Sequence, residues 1–300
     1  MRNYLFILSG IGSGGSSESL YVYLSKLSKT NCRIHLIAPY ISSERMYAKF
    51  KDLNIDIEII DCGQFHSFQA SVTPFYKMLL EFIKYLLNKD KLFKYIKNKS
   101  IDVVHLNSSC LSHLLKPIAI NFKIPIFVFV RELILNKSDN YHIGNMHRKN
   151  IIKWATRIIC ISENEARFFC NCKNLSVIYN PFLIKKDPIL KEESNLKKVF
   201  RIIMIGQFSY NKAHHIFLKS VRYFINKNPE LAKDCKFIIL GVPKNKNVSK
   251  VIFFKRKNIR LLNLFYENLE NLDLKDHIEV YEYTQYPEKF ISEADLLNSI

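Results

Sequence analysis

Three hundred residues, 48% of them apolar, suffice for one large or two medium globular domains with full cores, and 45 Lys and Arg against 27 Asp and Glu leave a formal charge of +18. Such a field attracts nucleic acid, anionic lipid or phosphorylated substrates without choosing among them, and abundant Lys, Asn and Ile from a biased genome would give the same balance with no partner. No apolar run reaches the roughly 18 residues of a membrane span, and the seven scattered cysteines form no CxxC pair and meet no completing His cluster, which excludes a zinc module and suggests a reducing cytoplasm.

In chain order, residues 4–8 read as a buried strand. The loop GIGSGGSSES follows, with Gly10, Gly12, Gly14 and Gly15, and opens into a helix from about Ser17 that bears Leu20, Val22, Leu24 and Leu27. This strand–turn–helix logic argues against a signal peptide at the start. A glycine loop entering a helix lets backbone approach a phosphate or a sugar; the alternative is a plain tight turn. Gly10, Gly12 and Gly15 formally satisfy a dinucleotide fingerprint, but the next strand, 33–38, ends in Ala38-Pro39-Tyr40 without the carboxylate that grips a ribose. A nicotinamide enzyme is disfavoured on that ground.

Strand and helix then alternate. Strands are expected at 55–60, 102–106, 125–130, 157–161 and 176–179, with a long helix over 75–99. That alternation predicts an α/β fold with a doubly wound parallel sheet. The long helix, FYKMLLEFIKYLLNKDKLFKYIKNK, mixes Phe75, Leu79, Phe82, Ile83, Leu86, Phe93 and Ile96 with Lys77, Lys84, Lys89, Lys91, Lys94, Lys97 and Lys99. A basic amphipathic helix can lie on an anionic membrane; the alternative is a crossover helix on the sheet with a solvated lysine face. After Asn180-Pro181 the stretch 185–198 is charged, carries Pro188 and has no steady period, as a linker does. A second α/β unit begins near Phe200, with strands at 201–205, 236–240 and 278–281.

Within that second unit the run Ile202, Ile203, Met204, Ile205 reads as a buried parallel strand ending at Gly206. A polar loop with Gln207, Ser209, Asn211 and Lys212 leads to a helix whose apolar face is Phe217, Leu218, Val221, Phe224 and Ile225. Lys212 thus stands at the carboxyl end of a parallel strand and the start of a helix, where open α/β sheets bind ligands and exposed N–H groups favour anions. The functional reading is a phosphate site; the alternative is an ordinary loop with a solvated lysine.

Several stretches together resemble the retaining glycosyltransferases of family 4, which have the GT-B fold of two facing Rossmann-like domains. They are GSGGSSES, DVVHLNSS, IFVFVREL, RIICISENEA, VIYNPF, MIGQFSYNKAHH, FIILG and the terminal EADLL, in the family's order over nearly the whole chain. The resemblance implies an acceptor-side domain over 1–182, a linker over 183–198 and a donor-binding domain over 199–300. It implies that Lys212 contacts the diphosphate of a nucleotide-sugar donor and stabilises the departing charge. Gln207 stands where many members carry Arg, Ala213 replaces the usual Gly, and Gly14 and Gly15 would face the donor phosphates. Arg131 and Glu132 would lie on the acceptor side, with Glu132 the catalytic carboxylate candidate beside Lys212; an ion pair with a basic neighbour is the alternative for Glu132. In the family the leaving phosphate is thought to help deprotonate the acceptor, so no further base is required.

No metal and no cofactor beyond the nucleotide-diphosphate sugar is implied. His105 reads as structural, and the adjacent His214 and His215 are poor joint ligands on one helix. The implied acceptor is a glycan or a lipid-linked sugar in bacterial surface polysaccharide or lipopolysaccharide synthesis. The implied place is the cytoplasm, or the inner face of the plasma membrane as a peripheral protein. No nucleic-acid partner is expected, because no reading module is present. The family's Glu-x7-Glu motif and closing helix do not follow EADLL before Ile300. The expectation is therefore a truncated second domain with weak or no transferase activity. An inactive remnant and a basic nucleic-acid-binding α/β protein are the alternatives.

Overall fold

The structure, a computed structural model, describes residues 1–12, 14–66, 75–132, 134, 141–181, 199–243, 256–284 and 287–298. The chain divides into two compact units, Met1–Ile184 and Lys185–Ile300. The linker expected over 183–198 lies outside the described residues.

In the first unit the described residues form β1 (Arg2–Ile7), α1 (Gly15–Leu27), β2 (Cys32–Ala38), α2 (Glu44–Asp52), β3 (Asp56–Ile59), α3 (Phe75–Asn98), β4 (Val103–Leu106), α4 (Leu115–Phe122), β5 (Ile126–Val130), α5 (Tyr141–Trp154), β6 (Arg157–Cys160), α6 (Glu163–Ala166) and β7 (Leu175–Val177). The strands make one sheet in the order β3-β2-β1-β4-β5-β6-β7, and every neighbouring pair is parallel. The doubly wound sheet is as the alternation predicts. Chain direction across the sheet reverses between β1 and β4, the switch point outside which open α/β sheets take ligands.

Period-two alternation distributes β1 between two cores. Leu5 and Ile7 join Val104, Leu106, Val128 and Ile158 under α3, α4 and α5. Phe6 and Leu8 face the other way, onto Leu20 and Leu24 of α1 and Met46 and Phe50 of α2. α2 starts where it does because the Ser43 hydroxyl accepts the Met46 N–H at 3.3 Å. α1 begins at Gly15 rather than Ser17, and strand ends differ from the expected ones by one or two residues, as helix and strand termini do.

The second unit comprises β8 (Phe200–Ile205), α7 (His214–Lys227), α8 (Pro229–Ala232), β9 (Cys235–Leu240), α9 (Arg256–Asn271), β10 (Ile278–Tyr281), α10 (Pro287–Glu293) and β11 (Leu296–Asn298). Its strands order β10-β9-β8-β11, again all parallel. Met204 and Ile239 pack with Phe217, Leu218, Leu262 and Phe265 of α7 and α9 on one face. Ile203, Ile238 and Leu240 meet Phe290 and Ala294 on the other. β11, formed by the end of the EADLL stretch, was not an expected strand: three residues are too few to show a period.

Candidate functional site

Because each sheet is parallel, the loops that follow its strands gather along one edge. In the first unit this edge brings Arg131 to the centre of a polar hub. Its Nε donates to Asn107 Oδ1 at 2.9 Å, and its Nη1 donates to Ser19 Oγ and to Asn180 Oδ1, each at 2.7 Å. The guanidinium also lies over the Phe129 ring, 5.2 Å from its centroid. Thus α1 and the loops after β4 and β7 all hold the residue that follows β5. Burial pushes the Arg131 guanidinium down to about 10, opposed by the nearby Glu132 carboxylate, and the group stays charged at neutral pH. All three of these acceptors are neutral, so its charge is oriented without being cancelled by them.

Glu132 turns to a different set of partners. Its Oε1 accepts from Ser108 Oγ at 2.6 Å, from the Ser109 amide at 2.7 Å and from Ser109 Oγ at 2.5 Å. The amide opens the short 3-10 turn Ser109–Leu114 that runs into α4, so the carboxylate faces the positive end of that segment. Among the described residues Oε2 accepts no hydrogen bond. Hydroxyls and an amide, rather than a cation, therefore fix the side chain, and one oxygen remains for a further donor.

Gly14 is the N-cap of α1 in extended conformation with no side-chain cap, and a side chain added at Gly14 or Gly15 would meet nothing within 4 Å. The Ser17 and Glu18 amides turn back onto the Gly14 carbonyl, at 3.0 and 3.2 Å. A hollow of about 150 Å³ in this unit is lined by Tyr40, Asp61, Gln64, His66, Glu81 and Lys84. Its loop is held closely: Gly63 has φ +73°, and a Cβ there would stand 2.2 Å from the Glu81 carbonyl. The Gln64 N–H donates to Glu81 Oε2 at 2.8 Å, and Gln64 Nε2 donates to the Ser9 carbonyl at 2.7 Å. Lys84 joins Asp61 at 3.2 Å and Glu81 at 2.8 Å.

His105 and His147 of this unit are buried. His105 stacks on Phe6 with centroids 4.4 Å apart, and burial pushes its imidazole down to about 3. His147 lies between Ser112 Oγ at 2.7 Å and the Phe65 carbonyl at 2.6 Å, and burial pushes it down to about 4. Among the described residues no group of three His, Cys, Asp or Glu is placed to hold a metal ion.

In the second unit β8 ends against Gly206, and the chain turns through a short 3-10 turn, Tyr210–Lys212, into α7. Buried Phe208 anchors this loop on Phe265, while Gln207 and Lys212 are exposed. The Lys212 stem lies along Gly206, whose added Cβ would sit 3.6 Å from Lys212 Cγ. α7 has no side-chain N-cap and no acidic residue in its first turn. Its N-terminal amides and Lys212 therefore make one positive corner at the carboxyl end of a parallel strand. Ala213, the N-cap, adopts φ +51°, a left-handed conformation that explains why glycine is the natural choice there. His214 is buried between Phe208 and Phe265, and burial holds its imidazole below the ordinary value.

Arg131, Glu132, Gly14, Gly15, Gln207 and Lys212 were expected from the sequence, whereas Ser19, Gln64, Asn107, Ser108, Ser109 and Asn180 were given no role. Asn107, Ser108, Ser109 and Asn180 carried a signal: each is a polar residue just past an apolar run, at the carboxyl end of a strand. Gln64 and Ser19 carried none, since only the folded loop and helix bring them in.

The family model described as Glycosyltransferase Family 4 matches residues 13–182. A search of the curated proteins finds no match. Among solved structures, Anabaena HepE in complex with UDP-glucose aligns with a TM-score of 0.65 at 13% identity, over 100% of this chain and 74% of that one. The lipopolysaccharide outer core galactosyltransferase WaaB in its apo form aligns with a TM-score of 0.62 at 14% identity, over 99% and 73%. Sucrose-phosphate synthase from Thermosynechococcus elongatus aligns at 0.65 and 11% identity, over 99% and 75%. At these identities the likeness is one of fold, the GT-B architecture.

Proposed function

The chain belongs to glycosyltransferase family 4, and from that premise we propose that it moves a hexosyl group from a nucleotide-diphosphate donor to a hydroxyl of a glycan or lipid-linked acceptor. The observation that carries this reading is the positive corner of the second unit: exposed Lys212 beside the uncapped start of α7. A fixed cation and bare helix amides are what a departing diphosphate requires. Gln207 adds a neutral donor there.

On the acceptor side the reading assigns Glu132 and Arg131. The glycosidic oxygen–carbon bond to the diphosphate breaks, a new bond forms to the acceptor oxygen, and the acceptor proton passes to the leaving phosphate. Glu132 Oε2 orients the attacking hydroxyl, while the Ser108 and Ser109 contacts keep the carboxylate from swinging away. Arg131 holds the surrounding strand ends in register through its three neutral partners. UDP-glucose in the HepE structure and the lipopolysaccharide role in WaaB's name support a nucleotide-sugar donor and bacterial envelope glycans as the setting. The proposed place of action is the cytoplasm or the inner face of the plasma membrane.

The test is transfer of label. The chain is incubated with radiolabelled UDP-, GDP-, ADP- and dTDP-sugars and bacterial envelope glycolipid extract. Weak transfer of label from one donor into the lipid or glycan fraction is expected, with its nucleoside diphosphate released. Release from none of the four by the folded chain contradicts the reading.

A further inference from the structure

Helix α7 turns one face into the core of its unit. Phe217, Leu218 and Val221 lie on that face, and His214, one turn earlier, opens the same stripe. His214 is 2% exposed. Its ring lies 5.1 Å from that of Phe208 in the preceding loop and meets Phe265 of α9 edge-on at 6.4 Å. Neither its Nδ1 nor its Nε2 has a hydrogen-bond partner among the described residues. Burying both nitrogens in this way lowers stability, and an apolar side chain would fill the position without that cost. Two residues after Lys212, the chain therefore carries a polar group that packing alone does not call for.

Burial holds the His214 imidazole below its ordinary value, and the fields of His215 and Lys212 add to that, while the Ser209 and Gly206 carbonyls work the other way. The remaining neighbours, Phe208 and Phe265, are apolar, and among the described residues no carboxylate acts on the ring. A neutral imidazole has a single N–H and cannot serve two carbonyls; an imidazolium has one N–H for each. Without ligand the group is neutral at neutral pH. A diphosphate reverses the balance, because it brings negative charge to the lysine whose field opposes the proton. Both carbonyls bear on that lysine. The Ser209 carbonyl accepts the Lys212 N–H at 3.2 Å, and the Lys212 stem lies along Gly206.

We propose that His214 is a positioning residue of the donor corner: when a nucleoside diphosphate occupies Lys212, the imidazole takes one proton from solvent, and its two N–H groups donate to the Gly206 and Ser209 carbonyls and fix the loop that carries Lys212. This rests on the donor reading above. It makes diphosphate affinity depend on pH with a definite sign. Binding that takes up a proton is strengthened most below the ligand-free titration of the group, and the gain is lost as pH rises through its ligand-bound titration.

The test is calorimetric titration of UDP, GDP, ADP and dTDP into the full chain, His214→Phe and His214→Gln, at about pH 5.5 and about pH 8.5, on either side of the ordinary imidazole range. Each is run in two buffers of different ionisation enthalpy, and circular dichroism checks the folds. Wild type is expected to bind at least about tenfold more tightly than His214→Phe at the acid pH and to match it at the alkaline one. In the acid range the buffer dependence of the enthalpy is expected to show up to one more proton taken up by wild type. His214→Gln keeps an N–H donor that does not titrate, so its affinity relative to His214→Phe is expected to be the same at both pH values. If His214→Phe does not fold, His214→Gln carries the comparison, with the wild-type advantage confined to acid pH. A loss equal at both pH values, no loss in either variant, or equal proton uptake overturns this inference and leaves the donor reading standing. Failure of folded wild type to bind any diphosphate overturns both.

Discussion

Glu132 shows how a side chain is prepared for chemistry by neighbours that sequence alone does not rank. A carboxylate taking three donors on one oxygen is held by charge-assisted bonds, each roughly twice as strong as a neutral one. Glu132→Gln keeps the shape and the accepting oxygen but removes the charge. It is expected to lower stability by about 1–2 kcal/mol and sugar transfer by about 100-fold or more, with nucleoside diphosphate affinity unchanged. Urea titration and label transfer measure the two effects, and an unaltered transfer rate would remove Glu132 from the reaction. The site was legible in the sequence where a polar or charged residue follows an apolar run, as at Arg131, Glu132 and Lys212. It was not legible at Ser19 or Gln64, whose roles depend on a helix face and a β3–α3 loop meeting the edge of the sheet. The alternative for Glu132, an ion pair with a basic neighbour, gives way to serine contacts, while Arg131 spends its fork on Asn107, Ser19 and Asn180.

The strand–loop–helix of β8 and α7 concentrates strain at its turn. Ala213 sits at φ +51°, where an L-residue costs about 1–2 kcal/mol. Gly241, after β9, has φ +100°, and a Cβ there would stand 2.2 Å from the Gly206 carbonyl, so the two strand ends approach closely just beneath the Lys212 loop. Ala213→Gly is expected to relieve the first strain; offset by the greater freedom of glycine in the unfolded chain, the net gain is about 0.5–1 kcal/mol. Chemical denaturation followed by circular dichroism checks it, and a loss of stability would show that the left-handed turn is not a burden. Elements were easiest to read where a run is long and one-sided: the apolar strands of both sheets and the 24-residue α3 stand out. β11 was hidden by its length. The outer face of α3 was only half legible: the sequence mixes lysines with apolar residues, while the fold leaves Tyr76, Leu80, Ile83 and Leu87 exposed about one turn apart.

At the scale of the whole molecule, buried imidazoles set the response to acid. Burial pushes His105 down to about 3, and His113 and His147 down to about 4, from the ordinary value of about 6.5. In the unfolded chain these groups take up protons as pH falls through about 6.5, while in the folded chain His113 and His147 do not until about 4 and His105 not until about 3. Above about pH 6.5 they are neutral in both states and cost nothing; below it the unfolded chain alone binds protons, so stability falls progressively down to about pH 3. Together they amount to several kcal/mol, on the order of the whole stability of a domain. The melting temperature of the first unit is expected to fall steadily over that window, and a flat profile in calorimetry would contradict it.

The alternation announced two α/β units, and the ordered motifs carried the resemblance to the family, whose model spans 13–182; the donor corner lies beyond that span and is tested most directly by itself. Calorimetric titration of UDP, GDP, ADP and dTDP into the chain and into Lys212→Ala isolates it. At least one diphosphate is expected to bind wild type, about 10–100-fold more tightly than the variant, as loss of one hydrogen bond to a charged group requires. Equal binding by both, or no binding of any diphosphate to the folded chain, would contradict the placement of the donor at Lys212.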